Sequence, residues 1–377
     1  VASGQRVARR RTADSGTEPG ARAGALAAGA RTALLESVAG WVPGEPVGND
    51  RLPLDWDVDD AWVRRRTGIG SRHRAGPGVA TGDLAYEAAS RLIAGYPAAG
   101  PVDAVLLATA TPDHLCPGTA PALAARLGLG TVPALDIAAV CSGFVYGLAV
   151  CHGLIASGLF ERVLLVGADV YSTWLDPADR SAGVVFGDGA GAALVAAGQS
   201  GDPGELLAFD LGSDGTGYDL ITVPGGGARA RSGRKPSEPD DAYFRMQGGT
   251  VYQHAVERMT GSCRTLLDRV GWDPAQVDRF VPHQANARIL SAVADRVGIA
   301  PQRCVTHLER VGNTGAASIP LALADAADHG LLRGGDRVLI TAFGGGLTWG
   351  SAALRWPGTP QTISTDSTEG TQHVAPR

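Results

Sequence analysis

Asp136-Ile137-Ala138-Ala139-Val140-Cys141-Ser142-Gly143-Phe144 sets a cysteine between the end of an apolar strand pattern and a small-residue helix pattern running from Val140 to Gly158. A thiol there lies at a helix N-terminus, where the macrodipole and free backbone N–H groups favour the thiolate, the nucleophilic form. A buried cysteine among Ala and Gly also serves plain packing. Cys141 taken alone leaves both readings open. Cys151, further along the same helix pattern, reads as packing.

Outward from this stretch, short apolar runs alternate with Ala-rich amphipathic segments from Thr32 onward, which predicts strands separated by helices in an α/β fold. Leu84 to Tyr96 reads as a helix, Val102 to Ala108 and Arg162 to Gly167 as buried strands. Phe186 to Ala192 reads as a glycine-spaced turn leading into a strand at Ala193 to Ala196. An internal repeat emerges when the halves are laid side by side. Val102-Asp103, Cys141 and Arg162-Val163-Leu164-Leu165 are echoed by Val277-Asp278, Asn313 and Arg337-Val338-Leu339-Ile340. Strand start to turn spans 39 and 36 residues, and turn to next strand 21 and 24. This predicts two halves of similar plan, 31–204 and 205–357, joined in the stretch Gly201 to Gly204. Residues 1–30 and 358–377 read as disordered tails.

Composition narrows the function classes. The chain has 377 residues, 44% of them hydrophobic, enough to fill two cores. A net charge of -5 gives no overall basic field, so nucleic acid is not an expected partner. The five cysteines, Cys116, Cys141, Cys151, Cys263 and Cys304, are odd in number and form no C-x-x-C pair, which argues against a disulfide framework or a metal site and fits a reducing cytoplasm. No apolar run approaches the roughly 20 residues of a membrane span.

Two further residues complete a constellation. His283, in Val281-Pro282-His283-Gln284-Ala285-Asn286, follows a predicted strand and precedes a helix, as Cys141 does in the other half; active-site groups in α/β folds favour such strand ends. Asn313, in Gly312-Asn313-Thr314-Gly315-Ala316-Ala317-Ser318-Ile319-Pro320, sits at another turn, where a simple N-cap is the ordinary role. Together the three motifs resemble those of the ketoacyl-acyl-carrier-protein synthase III enzymes of the thiolase superfamily. The resemblance runs from about Leu34 to Trp356. It includes Val42-Pro43, Trp62 with Arg66-Thr67-Gly68-Ile69, Phe186 to Ala192, and Gly344-Gly345-Gly346-Leu347-Thr348-Trp349-Gly350.

The resemblance implies a thiolase fold, two pseudo-repeated halves in five α-β-α-β-α layers. It implies that Cys141 takes an acyl group from acyl-CoA, and that backbone N–H groups of Cys141 and Gly346 receive the oxyanion. His283 and Asn313 would donate hydrogen bonds while a malonyl-acyl carrier protein loses carbon dioxide and attacks the acyl group. It further implies that Trp62 and Arg180 sandwich the CoA adenine, that Arg66 lies near its phosphates, that Arg288 docks the carrier protein, and that Phe186 and Cys116 line the acyl pocket. Cys116 would reach across a homodimer, and its small size predicts a roomy pocket and inclines the reading toward polyketide starter units. No metal or redox cofactor is expected. Same-fold rivals remain: acyl transfer to a hydroxyl or amine without condensation, and a noncatalytic partner subunit. Such partners lose the nucleophile, which this chain retains.

Overall fold

The computed structural model of the chain describes residues 30–96, 100–233 and 238–358. Both expected tails lie outside the described residues, apart from Ala30 and Gly358. Among the described residues nine strands build the two main sheets: β1 (Arg31–Trp41), β2 (Ala104–Ala108), β3 (Ala134–Ile137), β4 (Arg162–Asp169), β5 (Gly189–Gln199), β6 (Leu206–Ser213), β7 (Arg279–Pro282), β8 (Arg337–Gly344) and β9 (Thr348–Arg355). The helices that frame them are α1 (Asp60–Thr67), α2 (Thr81–Gly95), α3 (Gly143–Ala156), α4 (Gly248–Val270), α5 (Ala287–Val297) and α6 (Ser318–Asp328).

The first sheet runs β1-β5-β4-β2-β3 and the second β6-β9-β8-β7. Parallel and antiparallel pairings follow the same order in both, and a parallel bridge from Phe280 to Cys304 stands where β3 stands in the first. Hydrogen bonds repeat with the strands. The Asp103 carboxylate accepts the Arg162 N–H at 2.8 Å, and the Asp278 carboxylate accepts the Arg337 N–H at 2.9 Å. Helices α3 and α6 lie between the sheets, α2 covers the first sheet and α4 the second, giving five layers. Apolar side chains fill the centre, among them Phe144 and Leu148 of α3, Ile319 and Leu323 of α6, Leu106 and Leu165 of the first sheet, and Ile340 and Leu354 of the second. Separate apolar clusters sit under α2 and under α4.

Two local expectations need correction. Residues 189–192 belong to β5 and not to a turn. Their glycines remove side chains where the central helix presses on the strand: a Cβ on Gly191 would meet Pro320 Cβ at 2.6 Å, and one on Gly189 would meet Leu321 at 2.9 Å. His283 is not the counterpart of Cys141: that place belongs to Asn313, as the repeat predicts, and each of the two stands at the turn that launches a central helix. His283 instead follows β7, whose place in its sheet is that of β2. The strand-end pattern is common to both positions, so it does not separate them.

Candidate active site

The strand β3 leads to Cys141 through Val140, whose φ of 47° is left-handed and uncommon for a β-branched residue. Such a conformation costs on the order of 1–3 kcal/mol and persists only where its surroundings fix it. Here they do. The Ala139 carbonyl accepts the Ser142 N–H at 3.1 Å, the Ser142 hydroxyl at 2.8 Å and the Thr348 hydroxyl at 3.2 Å. Thr348 comes from β9, so the Cys141 turn is held by the other half of the molecule. A Cβ on Gly344 would stand 2.8 Å from the Cys141 nitrogen, which makes that glycine a steric requirement.

Asn313 is fixed just as closely. Its N–H donates to Val185 O and its carbonyl accepts the Gly187 N–H, both at 2.9 Å, a bridge back to the first half. The Asn313 side-chain oxygen accepts the Gly315 N–H at 3.0 Å, and among the described residues the amide N–H₂ is left as an open donor arm. His283 is anchored by its N–H to Thr341 O at 2.7 Å, and its Nδ1 lies 2.6 Å from the Ser318 hydroxyl. Ser318 Oγ also accepts the Gln284 N–H at 3.4 Å; with the Ser318 proton given to Nδ1, the imidazole carries its own proton on Nε2, whereas the other tautomer would donate from Nδ1 to Oγ. Burial pushes the His283 pKa down to about 3, and the ring is neutral at physiological pH.

Cys141, His283 and Asn313 are 8%, 3% and 5% exposed and line one cavity of about 180 Å³. The three groups predicted from separate motifs therefore converge. Phe186 lines the same cavity, with Tyr171 and Phe244 beside it, and Val251, Ala255 and Met259 of α4 form another wall. The thiol is not in a thiolate-favouring state at rest: burial first, then the negative charge of Asp169, push it up to about 12, opposing the helix-end effect expected from its position. Asp169 is itself buried and pushed up to about 6 by desolvation. It accepts hydrogen bonds from the Ala110 N–H at 2.7 Å and the Ala316 N–H at 2.8 Å, tying the Asn313 segment to the first sheet.

At the surface, the Asp59 side chain caps α1 by accepting the Trp62 N–H at 2.6 Å. The Arg66 guanidinium lies 4.3 Å from the Trp62 ring centroid and that of Arg180 lies 5.7 Å away. The three expected nucleotide-binding residues are thus together, with Arg66 on the ring and not apart from it. Arg288 is exposed between the cavity-lining residues Asn286 and Ile289. Gly344, the last residue of β8, lines the cavity, and Gly346 follows in the turn after that strand, at φ 131°. Cys116 is exposed and stands outside the cavity of its own chain. Sequence reasoning missed Tyr171, Asp169, Ser318, Phe244 and the α4 stripe. Only the stripe carried a pattern, apolar residues at i, i+4 and i+8.

Five layers with a cysteine, a histidine and an asparagine around one buried cavity define a thiolase-fold condensing enzyme. The family of 3-oxoacyl-(acyl-carrier-protein) synthase III matches residues 135–215, and the family of its C-terminal portion matches residues 267–356. Beta-ketoacyl-(acyl-carrier-protein) synthase III 5 of Streptomyces coelicolor is 57% identical over 326 residues, 86% of this chain and 97% of that protein. A crystal structure of 3-oxoacyl-(acyl carrier protein) synthase III from Pseudomonas aeruginosa superposes with a TM-score of 0.80 at 48% identity, covering 86% of this chain and 98% of that one. The priming beta-ketosynthase of the R1128 polyketide biosynthetic pathway superposes at 0.78 with 29% identity, over 91% of this chain and 100% of that one. The chain belongs to the beta-ketoacyl-acyl-carrier-protein synthase III family.

Proposed function

We propose that this enzyme performs a priming condensation: an acyl group passes from acyl-CoA to Cys141 and is then joined to the two carbons that remain when malonyl-acyl carrier protein loses carbon dioxide. Cys141 gives up its proton, attacks the thioester carbonyl as thiolate and expels the CoA sulfur, which takes up the proton so that CoA leaves as the thiol. Malonyl decarboxylation then leaves an enolate whose oxygen takes hydrogen bonds from His283 Nε2–H and the Asn313 amide. The enolate carbon attacks the acyl carbonyl and Cys141 leaves as thiolate. Backbone N–H groups of Cys141 and Gly346 serve the tetrahedral oxyanion. The observation that carries the reading is the buried cavity shared by Cys141, His283 and Asn313. A neutral, Nε2-protonated imidazole suits a hydrogen-bond donor that must not be an acid.

Trp62, Arg66 and Arg180 supply a flat, cationic surface for the CoA nucleotide, and Arg288 an exposed cation for an acidic carrier. The reaction calls for no redox cofactor, because the electron pair released as carbon dioxide leaves is the pair that forms the new carbon–carbon bond. We read 31–204 and 205–357 as its two halves. A homodimer is supported by the sheet edge at β3, where Leu135 is 46% exposed, and by Leu115, 66% exposed, beside Cys116. A second chain there would complete the acyl pocket, and the small Cys116 favours starters longer or more branched than acetyl, for fatty-acid or polyketide synthesis. A cytoplasmic location fits five free thiols, and among the described residues no helix is long and apolar enough to cross a membrane.

Acyl transfer without condensation is the rival reading. Carbon dioxide release separates the two: with acyl-CoA and malonyl-acyl carrier protein, one carbon dioxide per 3-ketoacyl product is expected. Acyl transfer with malonyl groups left intact would overturn the proposal.

A further inference from the structure

Tyr171 stands directly after β4, with its side chain 1% exposed inside the cavity wall. Among the described residues its hydroxyl has one hydrogen-bond partner, the Cys141 sulfur at 3.9 Å. The ring is held from several sides: it stacks on Phe186 at 4.6 Å and 22°, and meets Phe244 and Trp174 edge-on at 5.9 and 6.0 Å. Room for it comes from Gly315, where a Cβ would stand 2.4 Å from Tyr171 Cε2 and 2.2 Å from Asp169 Oδ2, at a backbone φ of +58°. A buried hydroxyl is aimed at the Cys141 sulfur by three aromatic neighbours and one missing side chain.

We infer that Tyr171 is a positioning residue of the reaction, its hydroxyl donating a hydrogen bond to the Cys141 sulfur that stabilises the thiolate against the nearby Asp169 carboxylate. This inference rests on the reading of Cys141 as the acyl-accepting nucleophile. Its chemistry is one-directional. A thiolate can only accept, so the phenol must donate once the thiol proton is gone. Burial raises the phenol well above its ordinary range, which keeps it protonated and able to do so. Asp169 cannot play this part, since it carries like charge and its Oδ1 is already engaged by Thr109, Ala110 and Thr111. The same donor acts twice in a turnover, when the thiolate attacks acyl-CoA and when it departs from the ketoacyl product.

Tyr171→Phe removes the hydroxyl and keeps the ring stack. Site-resolved mass spectrometry of iodoacetamide labelling, read as rate against pH at Cys141 alone, gives the thiolate population separately from Cys116 and Cys304. A hydrogen bond to a charged group is lost, so the profile is expected to move up by about one pH unit, with labelling about tenfold slower below the midpoint. Acyl loading from acyl-CoA slows alongside it. Replacing tyrosine biosynthetically with 3-fluorotyrosine, a stronger donor, is expected to move the profile the other way, and this arm decides the matter if Tyr171→Phe does not fold. Profiles that superimpose on the wild type overturn the inference. Wild-type protein that takes no acyl group on Cys141 from acyl-CoA overturns the nucleophile reading instead, a distinct result.

Discussion

Replacing Asn313 with aspartate exchanges a hydrogen-bond donor for an acceptor at nearly constant shape. The side-chain oxygen that accepts the Gly315 N–H at 3.0 Å is retained, as are the backbone bonds to Val185 and Gly187, so the turn should hold. The arm that faces the cavity changes from N–H₂ to a carboxylate oxygen. One donor to the developing enolate is lost, a change worth about 10²- to 10³-fold in rate, and a negative charge is added beside a negative transition state. Acyl loading does not use that arm. Stopped assays should therefore show near-normal acyl-Cys141 formation and a decarboxylation rate lower by at least about 10²-fold. The introduced carboxyl would be as buried as the amide it replaces, and desolvation raises its pKa. Once protonated it donates again, so activity relative to wild type should recover as pH falls. Condensation within about threefold of wild type, or an equal loss in both half-reactions, would refute the assignment of Asn313 as an enolate donor.

Ser318→Ala should free the His283 tautomer and slow decarboxylation by about tenfold while leaving acyl loading intact, because one buried hydrogen bond orients the ring. The His283 imidazole resonances should stay flat between pH 5 and 8 by NMR, since its pKa is held near about 3; an inflection near its ordinary 6.5 would contradict the neutral donor. Asp169→Asn removes the charge that raises the thiol, so site-resolved alkylation of Cys141 at pH 8 should quicken. The same variant tests linkage: a folded-state pKa raised from 3.8 to about 6 makes the Asp169 contribution to stability largest below 3.8 and lost as pH rises to 6, so the variant's melting temperature should gain on wild type across that window. Gly167→Ala drives a Cβ to 2.4 Å from the Ala316 carbonyl oxygen and should cost about 1–3 kcal/mol in urea denaturation, with a loss of condensation as the Asn313 segment shifts.

Much of the architecture was legible because burial imposes periodicity. The runs at Arg162 and Arg337 read as strands, and the paired Asp103 and Asp278 that open each unit make the same hydrogen bond in both halves. Cys141, His283 and Asn313 were legible because each ends a strand or begins a helix with small residues around it. The glycines before Ala193 were misread as a turn, since glycine signals both bends and close packing, and only the partner, here Pro320 and Leu321, tells them apart. Tyr171 and Asp169 left no trace in the pattern, because their importance comes from neighbours distant in sequence: Gly315 and Ala316 lie more than 140 positions away. The lowered thiol pKa expected from the helix end failed for the same reason. Its main opponents, burial and Asp169, are properties of the assembled core.

The central claim is tested most directly by incubating the protein with acyl-CoA and weighing it intact. One acyl group per chain is expected, mapped by peptide fragmentation to Cys141, absent in Cys141→Ala and discharged when malonyl-acyl carrier protein is added. An unmodified chain, or an acyl group carried on any other residue, would contradict the account.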